Sequence, residues 1–198
     1  VIAPTRRRLR ALWTEPQREG VFMTGKPVPD TTLPEITLPL LGGGGITLGR
    51  PQKGRDWQMI VVYRGKHCPI CHKYVSGLEG LLPKFHEVGI DVLLVSGDPE
   101  EKARAFADET GTSAPVAFDL SVPQMHELGL YVSEPRSAQE TDRPFAEPAV
   151  FVINDRGTVH IADISNAPFS RPDLEGLLNG LKFIRENEYP VRGTKRAA

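Results

Sequence analysis

The chain has 198 residues and a formal net charge of −1, with 24 Lys and Arg against 25 Asp and Glu, so no global basicity draws it to nucleic acid. Its apolar runs are strand-sized, well short of the ~20 residues that cross a bilayer as a helix, and a soluble chain without membrane attachment is expected. Only two cysteines are present, a usage that suits a reducing compartment and argues against a secreted scaffold stapled by disulfides; a cytoplasmic location is expected.

Residues 1–22 stand apart as a basic extension, expected to be poorly ordered. Arg6, Arg7, Arg8 and Arg10 cluster there, but no apolar core follows and Glu15 and Glu19 intervene, so the segment reads as a solvated arm rather than a secretory signal. Residues 23–190 read as one domain, and 191–198 as a loose C-terminal tail. Beyond Pro27, the apolar positions Leu33, Ile36, Leu38 and Leu40 suggest an extended stretch. Gly42 to Gly45 interrupt it and Ile46-Thr47-Leu48 resume it, which predicts a strand-turn-strand ribbon. The glycine run is not followed by Gly-Lys-Ser/Thr, so it reads as a turn and not as a phosphate loop.

Trp57 to Tyr63 is an apolar run of the kind buried on both faces of a sheet. Past the cysteines, Val75, Leu78, Leu82 and Phe85 recur at steps of three and four, one face of a helix. Pro83 lies inside that pattern and should kink the helix or end its first part. Ile90 to Val95 is a second buried strand, so strand, helix and strand form a parallel unit with a right-handed crossover. Asp98-Pro99-Glu100-Glu101 reads as a cap, a first-position proline and a supporting carboxylate opening a helix to about Thr110. Pro115 to Phe118 predicts a short strand, Val122 to Leu128 a short helix, and Ser133 to Glu147 a loop. Ala149 to Ile153 and the stretch with Val159 and Ile161 flank the turn at Asn154 to Gly157, an antiparallel hairpin. Ser170-Arg171-Pro172-Asp173 opens a last helix, whose stripe of Leu174, Leu177, Leu178, Leu181 and Ile184 is too short for a coiled coil and reads as core.

Both cysteines fall in Cys68-Pro69-Ile70-Cys71, where the first buried strand hands over to the helix. Two thiols three positions apart can bridge when the intervening residues enter a first helical turn, and the unpaired N–H groups there favour a thiolate at Cys68. Pro69 lacks an N–H and has the φ of a first helical residue. Lys66 and His67 upstream and His72 downstream add positive or protonatable groups. A zinc half-site or an inert structural pair are the competing readings. No second CxxC or HxxxH follows and adjacent histidines splay poorly onto one tetrahedral ion, so redox use is favoured and no metal is expected.

The order of elements, together with Gly25-Lys26-Pro27-Val28-Pro29-Asp30, Arg64-Gly65-Lys66-His67-Cys68-Pro69-Ile70-Cys71, Val95-Ser96-Gly97-Asp98 and Phe151 to Gly157, resembles the peroxiredoxin-like proteins of the alkyl hydroperoxide reductase and thiol-specific antioxidant group. That resemblance implies an α/β thioredoxin-like fold, a central mixed β-sheet flanked by helices with an N-terminal β-ribbon extension. It implies a thiol-dependent oxidoreductase in which Cys68 and Cys71 are catalytic, supported by Lys66, His67, Pro69 and Pro148, with no cofactor. Pro148 is expected in the cis form facing the disulfide. Two departures stand out. The family carries Thr or Ser three residues before its reactive cysteine, where this chain has Gly65, and it brings an arginine from the later strand region, where this chain has Glu147-Pro148. Arg64, Arg136 and Arg143 are the candidate replacements. The implied substrates are a peroxide, attacked by Cys68, or a protein or small-molecule disulfide. The implied partner is a thiol electron donor of the thioredoxin, glutaredoxin or glutathione type, with a homodimer expected by analogy. A redox-sensing module without turnover is the third reading.

Overall fold

The protein is described from a computed structural model over residues 25 and 27–195. The basic extension, Met23, Lys26 of the first motif and the last three residues of the tail lie outside the described residues.

The described residues form, in order, β1 (Thr37–Pro39), β2 (Gly45–Thr47), β3 (Trp57–Val62), α1 (Pro69–Glu79), α2 (Leu82–Glu87), β4 (Ile90–Val95), α3 (Glu100–Thr110), β5 (Val116–Ala117), α4 (Val122–Glu127), β6 (Val132–Ser133), β7 (Phe145–Ala146), β8 (Ala149–Ile153), β9 (Val159–Ile164) and α5 (Leu174–Glu186). The central sheet runs β5-β4-β3-β8-β9. β3, β4 and β5 are parallel, whereas β8 lies antiparallel to β3 and β9 antiparallel to β8. The sheet is mixed, as expected. Every residue of β3, β4 and β8 is buried, which explains why these strands read as continuous apolar runs rather than alternations.

Two layers cover the sheet. On one face Met59, Val61, Val92, Leu94, Val150 and Val152 pack with both cysteines and with the apolar stripes of α1, α2, α3 and α5. On the other, Ile60, Val62, Leu93, Val95 and Phe151 pack with Ile36, Leu38 and Ile46 of the β1–β2 ribbon and with Met125 of α4. The ribbon's turn uses Gly42, Gly43 and Gly44 at φ of +93°, +101° and +79°, a conformation strained for any residue with a Cβ. It is a turn, with no helix behind it to present N–H groups to a phosphate.

Several local expectations change in the folded chain. The predicted helix after the cysteines is two helices, broken at Gly80-Leu81, with Pro83 in the first turn of α2. Proline cannot donate to the carbonyl four residues back, so the first helix stops before it. Asp98 does not cap α3. Pro99 occupies the cap position without any side-chain bond, and the Asp98 carboxylate accepts the Lys66 N–H at 2.6 Å instead. The segment from Ser133 to Glu147 is not all loop, because β6 pairs antiparallel with β7 at its two ends. Two-residue strands show no periodicity, so this pairing is invisible to patterning. The Glu147–Pro148 bond is trans, since no described peptide bond is cis. β7 passes directly into β8, Glu147 N–H donates to Tyr131 O at 2.8 Å, and Pro148 O accepts from Ser165 N–H at 3.0 Å. That extended path needs no chain reversal, and trans is the cheaper isomer.

Candidate active site

β3 ends at Val62 and a five-residue connection delivers Cys68 to the N-cap of α1, with Pro69 in its first turn. Cys68 has extended backbone (φ −102°, ψ 102°), and its Sγ accepts the Cys71 N–H at 3.2 Å. A sulfur therefore occupies the place where a Ser or Asp oxygen usually satisfies one of the orphan helix donors. The Cys68 and Cys71 sulfurs are joined, with their Cα atoms 5.3 Å apart, inside the span a disulfide requires. The spacing, the helix start and the role of Pro69 are as read from sequence.

Exposure is not. Cys68 is 1% exposed and Cys71 0%, so the oxidised pair offers almost no surface, and a thiol approaching Cys68 Sγ needs a local opening.

The groups expected to add positive charge divide. Lys66 sits beside the site, but its Nζ pairs with Glu109 at 3.0 Å, while its backbone N–H is held by Asp98. Burial, opposed mainly by the Lys66 N–H bond, pushes the Asp98 carboxyl above the usual aspartate value. His72 Nε2 meets Lys66 O at 2.8 Å and its ring stands edge-on to Phe106. His67 supplies no charge near neutral pH: burial first, then Arg64, lowers its pKa from 6.5 to about 4. Its ring packs on Phe145 at 4.5 Å between centroids, and both its nitrogens are buried without a hydrogen-bond partner.

None of the three candidate arginines reaches a sulfur. Arg64 Nε pairs with Glu147 at 3.2 Å, its NH2 lies 3.8 Å from Glu140, and its Cζ stands 4.6 Å from the Phe145 ring centre. Arg136 pairs with Glu140, and Arg143 with Asp142. The cation at the disulfide is Arg171, from the connection between β9 and α5. Its NH2 donates to Cys71 Sγ at 2.9 Å, and its Cζ lies 5.0 Å from the Tyr74 ring centre. In the sequence Arg171 stands only as part of a helix start, because a contact across 100 residues leaves no local mark. Pro148 is buried and lines a small cavity together with Tyr74 and Arg171. A larger groove of about 630 Å³ runs from Ile70 past Tyr74 and Arg171 to Phe169.

The Gly65 position is closed to a side chain. Its φ is +139°, and a Cβ there would lie 2.8 and 3.0 Å from the Asp98 carboxylate oxygens and 3.0 Å from His67 Nδ1. A hydroxyl-bearing residue cannot be accommodated as the loop stands. Among the described residues, no group of three or more His, Cys, Asp or Glu is arranged to hold a metal ion, and no helix is long and apolar enough to cross a membrane.

The AhpC/TSA family profile matches residues 24–162. A thiol-disulfide oxidoreductase ResA from Halalkalibacterium halodurans is 25% identical over 96 residues, covering 48% of this chain and 47% of that relative. The chain thus spans about half the length of that curated relative. A peroxiredoxin-like protein from Aquifex aeolicus superposes with a TM-score of 0.67 at 18% identity, over 82% of this chain and 90% of its own. The peroxidoxin BcpB from Mycobacterium tuberculosis does so with a TM-score of 0.63 at 20% identity, over 80% and 98% respectively. These structures share the fold.

Proposed function

This chain belongs to the AhpC/TSA family, and from that membership and the joined cysteine pair we propose that it is a thiol-dependent oxidoreductase that reduces peroxides through Cys68 and Cys71. The observation that carries this reading is the placement of Cys68 Sγ at the α1 N-terminus within bonding reach of Cys71. In the dithiol form the Cys68 thiolate attacks one peroxide oxygen. The O–O bond breaks, Cys68 becomes a sulfenic acid, and the leaving oxygen takes a proton to depart as an alcohol or water. Cys71 then attacks the sulfenic sulfur, expelling its oxygen as water and closing the disulfide. Two equivalents of a donor thiol return the pair to the dithiol and leave as their own disulfide.

Pro69 presets the helix start, and Lys66 holds the approach loop through its N–H to Asp98. His67 acts as a neutral packing group, and Pro148 as a buried wall beside Tyr74 and Arg171. The donor is a thioredoxin, glutaredoxin or glutathione-like thiol, the working location is the cytoplasm, and the working form is a homodimer. Scarce cysteines support the location, and family analogy supports the dimer. Residues 23–190 form the redoxin domain, with 1–22 and 191–198 as flanking segments. The family match over 24–162 and the packing of α5 on the core support that division.

A second reading, thiol-disulfide exchange, is favoured by Gly65. The hydroxyl that the family resemblance places there to bind peroxide is missing, and no room exists for it. To separate the two, reduced protein is mixed in turn with hydrogen peroxide, an alkyl hydroperoxide and a disulfide, and Cys68–Cys71 closure is timed by mass. Fastest closure with a peroxide supports the first reading, and fastest closure with the disulfide the second. Slow closure with all three refutes both and leaves the redox sensor.

A further inference from the structure

Arg171 is a cation held against sulfur with no carboxylate in ion-pair contact among the described residues. Its Nε and NH1 are buried and find no hydrogen-bond partner, and burial lowers its pKa from the ordinary arginine value. Such a placement is costly unless it serves an anion. Among the described residues, the one atom its guanidinium reaches by hydrogen bond is Cys71 Sγ, at 2.9 Å. In a disulfide that sulfur is neutral and a weak acceptor. Once the S–S bond opens it is a thiolate, and the same contact becomes a charge-assisted hydrogen bond of roughly twice the strength. The interaction is therefore worth more to the opened state than to the closed one, the condition under which a contact accelerates a step.

We propose that Arg171 stabilises Cys71 as the leaving thiolate, so that a donor thiol attacks at Cys68 and the dithiol form is favoured at equilibrium. The donor sulfur forms a bond to Cys68 Sγ, the Cys68–Cys71 bond breaks, and its electron pair departs on Cys71 Sγ against the guanidinium. A lower-pKa leaving thiol departs faster, so the Arg171 contact favours attack at Cys68, the sulfur that then carries the mixed disulfide. In the oxidising direction the same thiolate is ready to attack the Cys68 sulfenic sulfur without first losing a proton. The other groups facing this cluster are the Tyr74 phenol on α1, Asp163 on β9 and Asp173 at the α5 cap, with Glu147 and Arg64 opposing each other more remotely. Arg64 is engaged by Glu147 and Glu140, which leaves Arg171 as the described cation hydrogen-bonded to a reacting sulfur.

This role presupposes the dithiol chemistry proposed above, and its test is independent of turnover. In full-length Cys68→Ser protein, thiolate absorbance is followed against pH, so that Cys71 alone titrates. Burial by itself would lift a thiol above the ordinary value of about 8.5. The expected result is a Cys71 pKa below it, and a value at or above it overturns the proposal without any change at Arg171. Adding Arg171→Met is expected to raise the Cys71 pKa by about 1 to 3 pH units, the range for an ion beside an arginine. An unchanged titration overturns the proposal. In the two-cysteine protein, Arg171→Met is expected to shift the equilibrium with a dithiol buffer toward the disulfide by about tenfold, ~30 mV. A protein that reduces neither peroxide nor disulfide, yet whose Cys71 titration follows Arg171, refutes the functional reading and with it the leaving-group role, while the thiolate contact itself stands.

Discussion

Replacing Gly65 by threonine puts into this chain the hydroxyl residue that the family resemblance places three positions before the reactive cysteine, and it is expected to harm the protein. The φ of +139° is a region where a β-branched residue is an outlier, and holding it there costs about 1–3 kcal/mol. The new Cβ would stand 2.8 Å from one Asp98 carboxylate oxygen and 3.0 Å from the other, closer than carbon and oxygen tolerate. Asp98 must then move off the Lys66 N–H that it holds at 2.6 Å, and a hydrogen bond to a charged group is worth about 1.5–3 kcal/mol. The two effects share one relaxation, so they do not add fully. A loss of roughly 3–5 kcal/mol is expected, which for a domain of this size lowers the melting temperature by about 10 °C. Thermal unfolding of the oxidised wild type, Gly65→Ala and Gly65→Thr measures it. Alanine should show most of the loss, because the clash begins at Cβ. A threonine variant that melts with the wild type, or that gains peroxide reactivity, would refute the assignment of Gly65 as the residue that lets Asp98 anchor the approach loop.

Cys68→Ser is expected to abolish turnover, whereas Cys71→Ser should stop at a Cys68 sulfenic acid or mixed disulfide visible by mass; the reverse pattern would exchange the two roles. In the Cys71→Ser protein the Cys68 thiolate should also titrate below the ordinary ~8.5 of a free thiol, because it caps a helix N-terminus. Glu147→Gln leaves Arg64, among the described residues, with the longer Glu140 contact as its remaining ion pair, and loss of one partner from this largely buried pair should cost about 3 kcal/mol, read as a lower urea midpoint at constant slope. A loss within the ~1 kcal/mol of a surface pair would show the pair to be ornamental to stability. His67 makes a prediction in pH. Its folded pKa of about 4 lies below the 6.5 of the unfolded chain, so the unfolded chain takes up the proton first and stability falls as pH drops through that window, then levels off. His67→Gln should flatten part of this fall, while His86 and His160, also lowered by burial, retain the rest; identical pH profiles for the two proteins would contradict the burial argument.

The local chemistry of the site was legible because it is written in consecutive residues. Cys68, Pro69 and Cys71 specify a helix start that brings two sulfurs together, and nothing beyond one turn of backbone is needed to read it. The buried strands around it were legible for a similar reason, since a run burying both faces must be apolar throughout. Asp98 shows where such reading fails: its position before a proline and two glutamates predicts a cap, but the fold brings the Lys66 N–H within reach across 32 residues, and that charged contact wins. Pro148 fails in a related way, for the direct passage from β7 to β8 leaves no need for the cis isomer that family resemblance suggested.

Short-range pattern alone carries the cysteine pair, its helix and the βαβ frame beneath it. The electrostatics around that pair arise in the folded chain: Arg171 on Cys71, Arg64 drawn to Glu147, His67 neutral against Phe145. Charge partners are chosen by proximity in space, and proximity across 80 or 100 residues is set by strand register and helix packing, quantities that no window of neighbouring residues contains.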